Sequence, residues 1–377
     1  MDFDREWTAN EDGLLREADS LAALLARIRG CFPPVLIRGE GWRRLLDQAA
    51  GLPASLAAFP MWMGFSMRGP RPAADLAVSL VGGSRSAVFF QDESAAGKRP
   101  SCAAAVASLL KETAPDKAPL RRIAGNRVLL DYSMDSMRRA RRSDPGIFLY
   151  PIKRTLPGGA RQRRPGNLGV VLDAILRAMD WERDSAERRN AEQVYSALKR
   201  DTRIAAVGVF PSRGKGIRLM ALGFGEARAA AEFAQRAGWP GRHSALAAIL
   251  SRLEQCGALD GMRMGVDLQA SAQGVGPSLD LHIFSENTIY ESAGWFKDPQ
   301  HWDALIDGMR EEGLIAAEKS QALAEWSSGA EMLFGKSGPF VLLRRLHHVK
   351  LVMAEERLEQ INAYVFMLMG ALPRNSG

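Results

Sequence analysis

From Arg203 onward, polar and hydrophobic positions alternate through two short runs, then recur at helical spacing through two longer ones, and the order repeats. Arg203–Phe210 and Gly216–Leu222 flank the turn-like Pro211-Ser212-Arg213-Gly214-Lys215, a pattern that predicts a hairpin. Helical spacing starts near Glu226 and again at His243. A second strand pair, Arg263–Leu268 and Ser278–Phe284, is followed by helices near His301 and Ala316. A last pair lies around His348–Val352 and Ala363–Phe366. The pairs restart after roughly 60 and then roughly 80 residues without similarity in sequence, so the recurrence is architectural.

The first half obeys the same rule less clearly. Residues from about Asn10 to Ala50 read as helical, with Leu14, Leu15, Leu21, Leu24, Leu25 and Ile28 recurring at helical spacing and Gly30 and Pro33-Pro34 closing the first helix. Met61–Arg68 and Asp75–Val81 form a strand pair around a Gly-Pro-Arg-Pro turn. A helix near Ala103–Lys111, strands at Val128–Tyr132 and Ile147–Lys153, a loop over Leu156–Gly166 and helices at Leu168–Met179 and Ser185–Leu198 complete the pattern. The expected organisation is a helical segment over residues 1–57 packed on a barrel domain over residues 58–377.

Hairpins joined by helix pairs build one antiparallel sheet with helices on its outer face, an α+β arrangement. About ten strands close such a sheet into a barrel and abolish its edges. Alternation assigns the faces. Ile217, Leu219 and Ala221 oppose Arg218 and Met220, and Leu279, Leu281 and Ile283 oppose Asp280, His282 and Phe284. Asp267 shares a face with Arg263 and Gly265, and Lys350 with His348 and Val352. With helices on the aliphatic face, the mixed face points into the barrel, where a partly apolar, anionic ligand would find cations. The bland alternative is a polar sheet face open to solvent.

Composition bounds the function. Hydrophobic residues are 46% of the 377 and charged residues 25%, ordinary for a globular chain. No apolar run is long enough to span a bilayer, and the acidic start Met1-Asp2-Phe3-Asp4 is unlike a secretory signal. Cys31, Cys102 and Cys256 are scattered and odd in number, which fits reduced thiols in the cytoplasm and no zinc site. The net charge of +7 concentrates in Arg138-Arg139-Ala140-Arg141-Arg142, Lys153-Arg154 and Arg161-Gln162-Arg163-Arg164. Such a run serves as a solvated connector, or meets nucleic acid or another anion.

Motifs for phosphate loops, nucleophile elbows and metalloproteases are absent. His347 and His348 are adjacent on a predicted strand, so they are expected to face opposite ways and not to share a metal. Asp267 and Asp280 lie on neighbouring predicted strands, placed either to act with His282 as bases or cation stabilisers, or to pair with arginine.

With these strands in place, the chain resembles the ten-stranded α-β-β-α barrel prenyltransferases, nearest their indole and peptide branch. The likeness rests on His348-Val349-Lys350-Leu351-Val352-Met353 with Asn362-Ala363-Tyr364-Val365, and on Phe65-Ser66-Met67-Arg68 leading to Asp75-Leu76-Ala77-Val78. The resemblance implies transfer of an isoprenoid from an allylic diphosphate co-substrate to an aromatic or peptide acceptor in natural-product biosynthesis, without a metal or other cofactor. It implies diphosphate contacts from Arg68, Lys153, Arg218 and Lys350, and a cation shield of Tyr150 and Tyr364 with Phe284 and Met220 lining the lumen. Gly64 stands where the indole enzymes carry a glutamate base, Met220 and Asn362 replace expected polar positions, and tyrosines number only 5. Two other readings therefore stay open: a barrel that binds a peptide or small molecule without transferring an isoprenoid, as an accessory in peptide modification, and nucleic-acid binding through residues 138–164.

Overall fold

A computed structural model describes residues 3–70, 72–95, 102–133, 144–285, 302–336 and 338–371. The alternating runs form strands, in chain order β1 (Met61–Ser66), β2 (Ala74–Val81), β3 (Arg127–Tyr132), β4 (Gly146–Leu149), β5 (Arg203–Val209), β6 (Ile217–Phe224), β7 (Met262–Ser271), β8 (Gly274–Ser285), β9 (Gly329–Phe334), β10 (Pro339–Ala354) and β11 (Arg357–Ala371). Each pairs antiparallel with its neighbour in the ring β1-β2-β3-β4-β5-β6-β7-β8-β10-β11, and β11 returns to β1 with Met61 opposite Met367. Ten strands thus close, as the sequence pattern leads one to expect. β9 is an addition: it borders Pro339–Arg344 of β10, while β8 borders His348–Ala354 of the same strand.

The barrel has two unlike ends. Tight connections join β1 to β2, β5 to β6, β7 to β8 and β10 to β11 at one end, here the hairpin end. The helices leave from the other. Helices Arg85–Ala95, Cys102–Thr113, Pro165–Ala178, Ala186–Ser196 and Ala227–Arg236 pack on the outer faces of β2, β3, β5, β7 and β6 respectively. Helices Leu21–Ile28 and Glu40–Ala49 cover the opening strands, with Trp42 edge-on to Phe32 at 5.1 Å. Arg85–Ala95, the short Pro119–Ala124 and β9 went unread because their apolar positions are too few to set a period.

Burial follows the alternation. Leu76, Val78 and Leu80, then Leu219 and Ala221, then Leu279, Leu281 and Ile283 lie in the main core between sheet and helices. The opposite faces form separate inner clusters, one of Ala77, Leu129, Phe148, Ala206 and Phe210 and one of Ala205, Leu222 and Phe284, bridged by Met220. The mixed face therefore looks into the lumen. No helix among the described residues is long and apolar enough to cross a membrane.

Candidate functional site in the barrel lumen

Opposite positions on β7 and β8 bring Asp267 and Asp280 face to face. Arg218 of β6 bridges them: Nη2 stands 2.9 Å from Oδ2 of each, and Nε donates to Asp267 Oδ1 at 3.2 Å. Lys350 of β10 approaches Asp280 Oδ2 at 3.6 Å. Burial opposes the charge on Asp280, but Arg218 and then Lys350 outweigh it and hold the carboxyl below its usual range. Burial pushes Asp267 up, because Arg218 is shared and Asp280 lies beside it. Burial would likewise lower Arg218, yet the two aspartates raise it. The structural pairing weighed from the sequence is what the geometry shows.

Protein carboxylates thus take up the Nε and Nη2 side of the guanidinium. Breaking such a buried arrangement leaves an uncompensated charge, at a cost of about 3–5 kcal/mol. Asp267, Asp280 and His282 have ligand atoms within 4.8 Å of one another, close enough to share a cation. The charge balance speaks against one: the two carboxylates already match Arg218 and Lys350, and a divalent ion would leave the group with an excess of two positive charges.

A wall of rings adjoins this network. His348 stacks on Tyr364 with centroids 4.4 Å apart and planes 5° apart, and on Phe284 at 5.0 Å. His282 lies parallel to Phe284 at 6.0 Å and 5.1 Å from His348. Lys350 Nζ sits 5.1 Å from the Tyr364 ring centre, in cation–π geometry. The Tyr364 hydroxyl donates to Asp75 Oδ2 of β2 at 3.2 Å, reaching across β1. Trp62 faces Phe366 and His347 from β1. On the other side, Tyr150 and Met220 pack against Phe148 and Phe210.

One expectation is overturned. His347 and His348 do not point opposite ways: the β10–β11 register slips between Leu346 and His348, and this bulge turns both rings inward. Their Nδ1 atoms are 2.8 Å apart. Three of the 5 histidines, His282, His347 and His348, thus meet in the lumen. Burial lowers His282 to about 3 and His347 to about 4, and pushes His348 well below its usual value, so all three rings are neutral near pH 7. Both nitrogens of His282, Trp62 Nε1, Ser79 Oγ and Asp131 Oδ1 are buried with no hydrogen-bond partner. Orphaned polar atoms cost about 1–3 kcal/mol each, and their concentration on one interior surface marks a place for a polar ligand.

At the hairpin end a cleft of about 700 Å³ opens beside β1, β2 and β11. Arg44, Arg68 and Arg357 line it at the surface, and Gly64, Asp75 and Asn362 line it toward the lumen. Arg68 is aimed by a hydrogen bond to the Leu358 carbonyl. The strand end that carries it is pinned from outside, where Lys319 Nζ donates to the Ser66 carbonyl at 2.8 Å and Ala316 N to the Met67 carbonyl at 3.1 Å. Arg213, which the sequence reading did not single out, caps the same end with its guanidinium 4.1 Å above the Phe210 ring.

The structure thus gathers Arg218, Lys350, Asp267, Asp280, His282, Phe284, Met220, Tyr150 and Tyr364 in the lumen and puts Arg68 at its mouth. Lys153 does not join them. It is exposed on the loop after β4, at the helix end. Of the basic run, Arg161 and Arg164 are exposed on that loop, and Arg138–Arg142 lies outside the described residues. The missed features, the His347–His348 bulge and Asp75, carry no motif. Only the register shows them.

No protein-family model and no curated protein matches this chain. The solved structures it resembles are prenyltransferases. The 5-dimethylallyltryptophan synthase of Streptomyces coelicolor is 14% identical, with 92% of this chain and 97% of that chain covered and a TM-score of 0.48. The 6-dimethylallyltryptophan synthase of Micromonospora olivasterospora, in complex with DMASPP and Trp, is 12% identical over 95% and 96%, with a TM-score of 0.46. The prenyltransferase PriB is 14% identical over 92% and 95%, with a TM-score of 0.49.

Proposed function

We propose that the protein transfers an isoprenoid from an allylic diphosphate to an aromatic acceptor, free or within a peptide, as a step of natural-product biosynthesis. The observation that carries this reading is the division of chemistry along the barrel axis. Arginines 44, 68 and 357 ring the cleft at the hairpin end, while rings and carboxylates fill the interior. The diphosphate stays with the arginines at the mouth, since the interior cations Arg218 and Lys350 are already matched by Asp267 and Asp280, and the apolar tail passes Gly64 toward Tyr364 and His348. Heterolysis of the allylic C–O bond leaves the electron pair on diphosphate and a carbocation in the lumen. Ring faces and the ionised Asp280 stabilise that cation, and the packed walls keep water from it. An acceptor carbon then supplies the new bond's electrons and loses a proton. The proposed transfer uses no metal ion, a reading supported by the balance of Asp267 and Asp280 against Arg218 and Lys350.

Calorimetry with dimethylallyl and geranyl diphosphate tests the reading. Binding that is lost in Arg68→Ala supports it; no binding of either compound by the wild type overturns it.

One observation favours a second reading. Arg218, the cation best placed to grip a diphosphate inside, is already paired with Asp267 and Asp280. A barrel so neutralised also suits a binding protein that holds a peptide or small molecule without transfer. Bound allylic diphosphate that yields neither alkylated acceptor nor prenyl alcohol distinguishes this case.

A further inference from the structure

The paired imidazoles of His347 and His348 fall outside the chemistry described above. Two side chains adjacent in a regular strand diverge; here a bulge is inserted and both point inward, at the cost of the local ladder. The Nδ1–Nδ1 separation of 2.8 Å requires a hydrogen bond, so one ring carries Nδ1–H and the other offers its Nδ1 lone pair. The donor ring then has its Nε2 lone pair free, and the acceptor ring carries Nε2–H. A neutral pair of this kind has one vacancy for a proton. Once filled, the Nδ1–H···Nδ1 link becomes charge-assisted and stronger.

Resting on the prenyl-transfer reading, we propose that this pair is the proton acceptor of the site, with His348 as the catalytic base and His347 as its positioning residue. His348 is chosen because it sits in the ring wall where the cation would lie, between Tyr364 and Phe284. Alkylation forms a carbon–carbon bond with an electron pair of the aromatic acceptor and leaves that ring cationic. The proton on the alkylated carbon passes to His348 Nε2, the C–H pair restores the aromatic ring, and His347 Nδ1 takes up the strengthened hydrogen bond. No oxidant or further reactant is needed. The groups that face His348 are His282 and Phe284 from β8, His347 and Lys350 from β10, Tyr364 from β11 and, through His347, Trp62 from β1. Burial keeps both rings of the resting pair neutral, aided at His348 by its neighbours His347, His282 and Lys350, and hence ready to accept.

The test follows three quantities in the same samples, using dimethylallyl diphosphate and indole: donor binding, prenyl alcohol released by water capture, and alkylated indole. His348→Phe keeps a ring in the stack and removes the nitrogens. It is expected to bind donor as the wild type does and to form alkylated indole about 10²-fold or more slowly, the usual yield of a positioned base. His347→Gln, which still accepts from Nδ1–H, is expected to retain most of the rate, and His347→Leu to lose it. In the wild type alkylation falls off at acid pH as the pair protonates, and His348→Phe lacks that limb. Equal alkylation by wild type and His348→Phe, or equal loss in His347→Gln and His347→Leu, overturns the pair's role while leaving prenyl transfer standing. A wild type that binds no allylic diphosphate overturns the underlying reading, and the pair's role with it.

Discussion

Tyr364 occupies the space that a side chain on Gly64 would need. A Cβ at position 64 would stand 2.5 Å from Cε1 of the tyrosine ring, and the ring uses that gap to carry its hydroxyl over β1 to Asp75. The glycine that looked like the loss of a base is thus the clearance for a ring, with a carboxylate one strand further on. Gly64→Ala is expected to displace Tyr364, break its bond to Asp75 and loosen the stack on His348, costing about 1–3 kcal/mol as overpacking does. Urea unfolding measures it. Combined with Tyr364→Ala, the loss should be smaller than the sum of the two single changes.

The Arg218 bridge makes an opposite kind of claim, about charge. Arg218→Met leaves Asp267 and Asp280 buried side by side and is expected to destabilise by about 3–5 kcal/mol. Adding Asp267→Asn to it, which leaves Asp280 with Lys350, should recover most of that stability, as read from denaturation midpoints. If Arg218→Met unfolds at the wild-type midpoint, the bridge is not structural.

The neutral histidines set the acid response. A histidine whose folded pKa lies below its unfolded one binds its proton in the unfolded chain first, so stability falls as pH drops below about 6.5. With His282 at about 3 and His347 at about 4, the loss runs through the whole interval from pH 6.5 to 5. Each ring contributes about 1.4 kcal/mol per pH unit there. Urea midpoints at pH 7 and pH 5.5 check this, and His282→Phe should flatten the dependence.

On the proposed reading, the headgroup is held at the mouth. Arg68→Ala and Arg357→Ala should each weaken allylic diphosphate binding about tenfold or more, in line with the loss of a hydrogen bond to a charged group. Arg161→Ala, on the exposed loop at the helix end, should change nothing. Calorimetry at two salt concentrations separates the contributions, since the mouth is open to screening.

How much of this was legible follows from what alternation encodes. In β6, β7 and β8 apolar residues alternate strictly enough that the inward set, Arg218, Asp267, Asp280, His282 and Phe284, could be read before any fold was in hand. β10 was read as five residues and is sixteen long, because Leu342-Leu343 and Arg344-Arg345 break the alternation where the strand passes from β8 to β9. The bulge at His347 is a register slip, and one strand's sequence does not hold the register between two. Asp75 was read as a strand residue, and its bond to Tyr364 depends on the closure of the barrel. Lys153 was placed in a strand that stops at Leu149.

That closure has a consequence in time. β1 finds its second partner in β11, so Trp62 waits for Phe366 and Gly64 for Tyr364. Contacts so distant along the chain form late and slowly, because a long loop must be closed before the pairing rewards it. During synthesis the first and ninth positions of the ring, β1 and β10, are exposed edges until β11 emerges. The tyrosine over the glycine and its stack on the imidazole come into being only in that last step, whereas the bridge of Arg218, Asp267 and Asp280 needs only β6, β7 and β8.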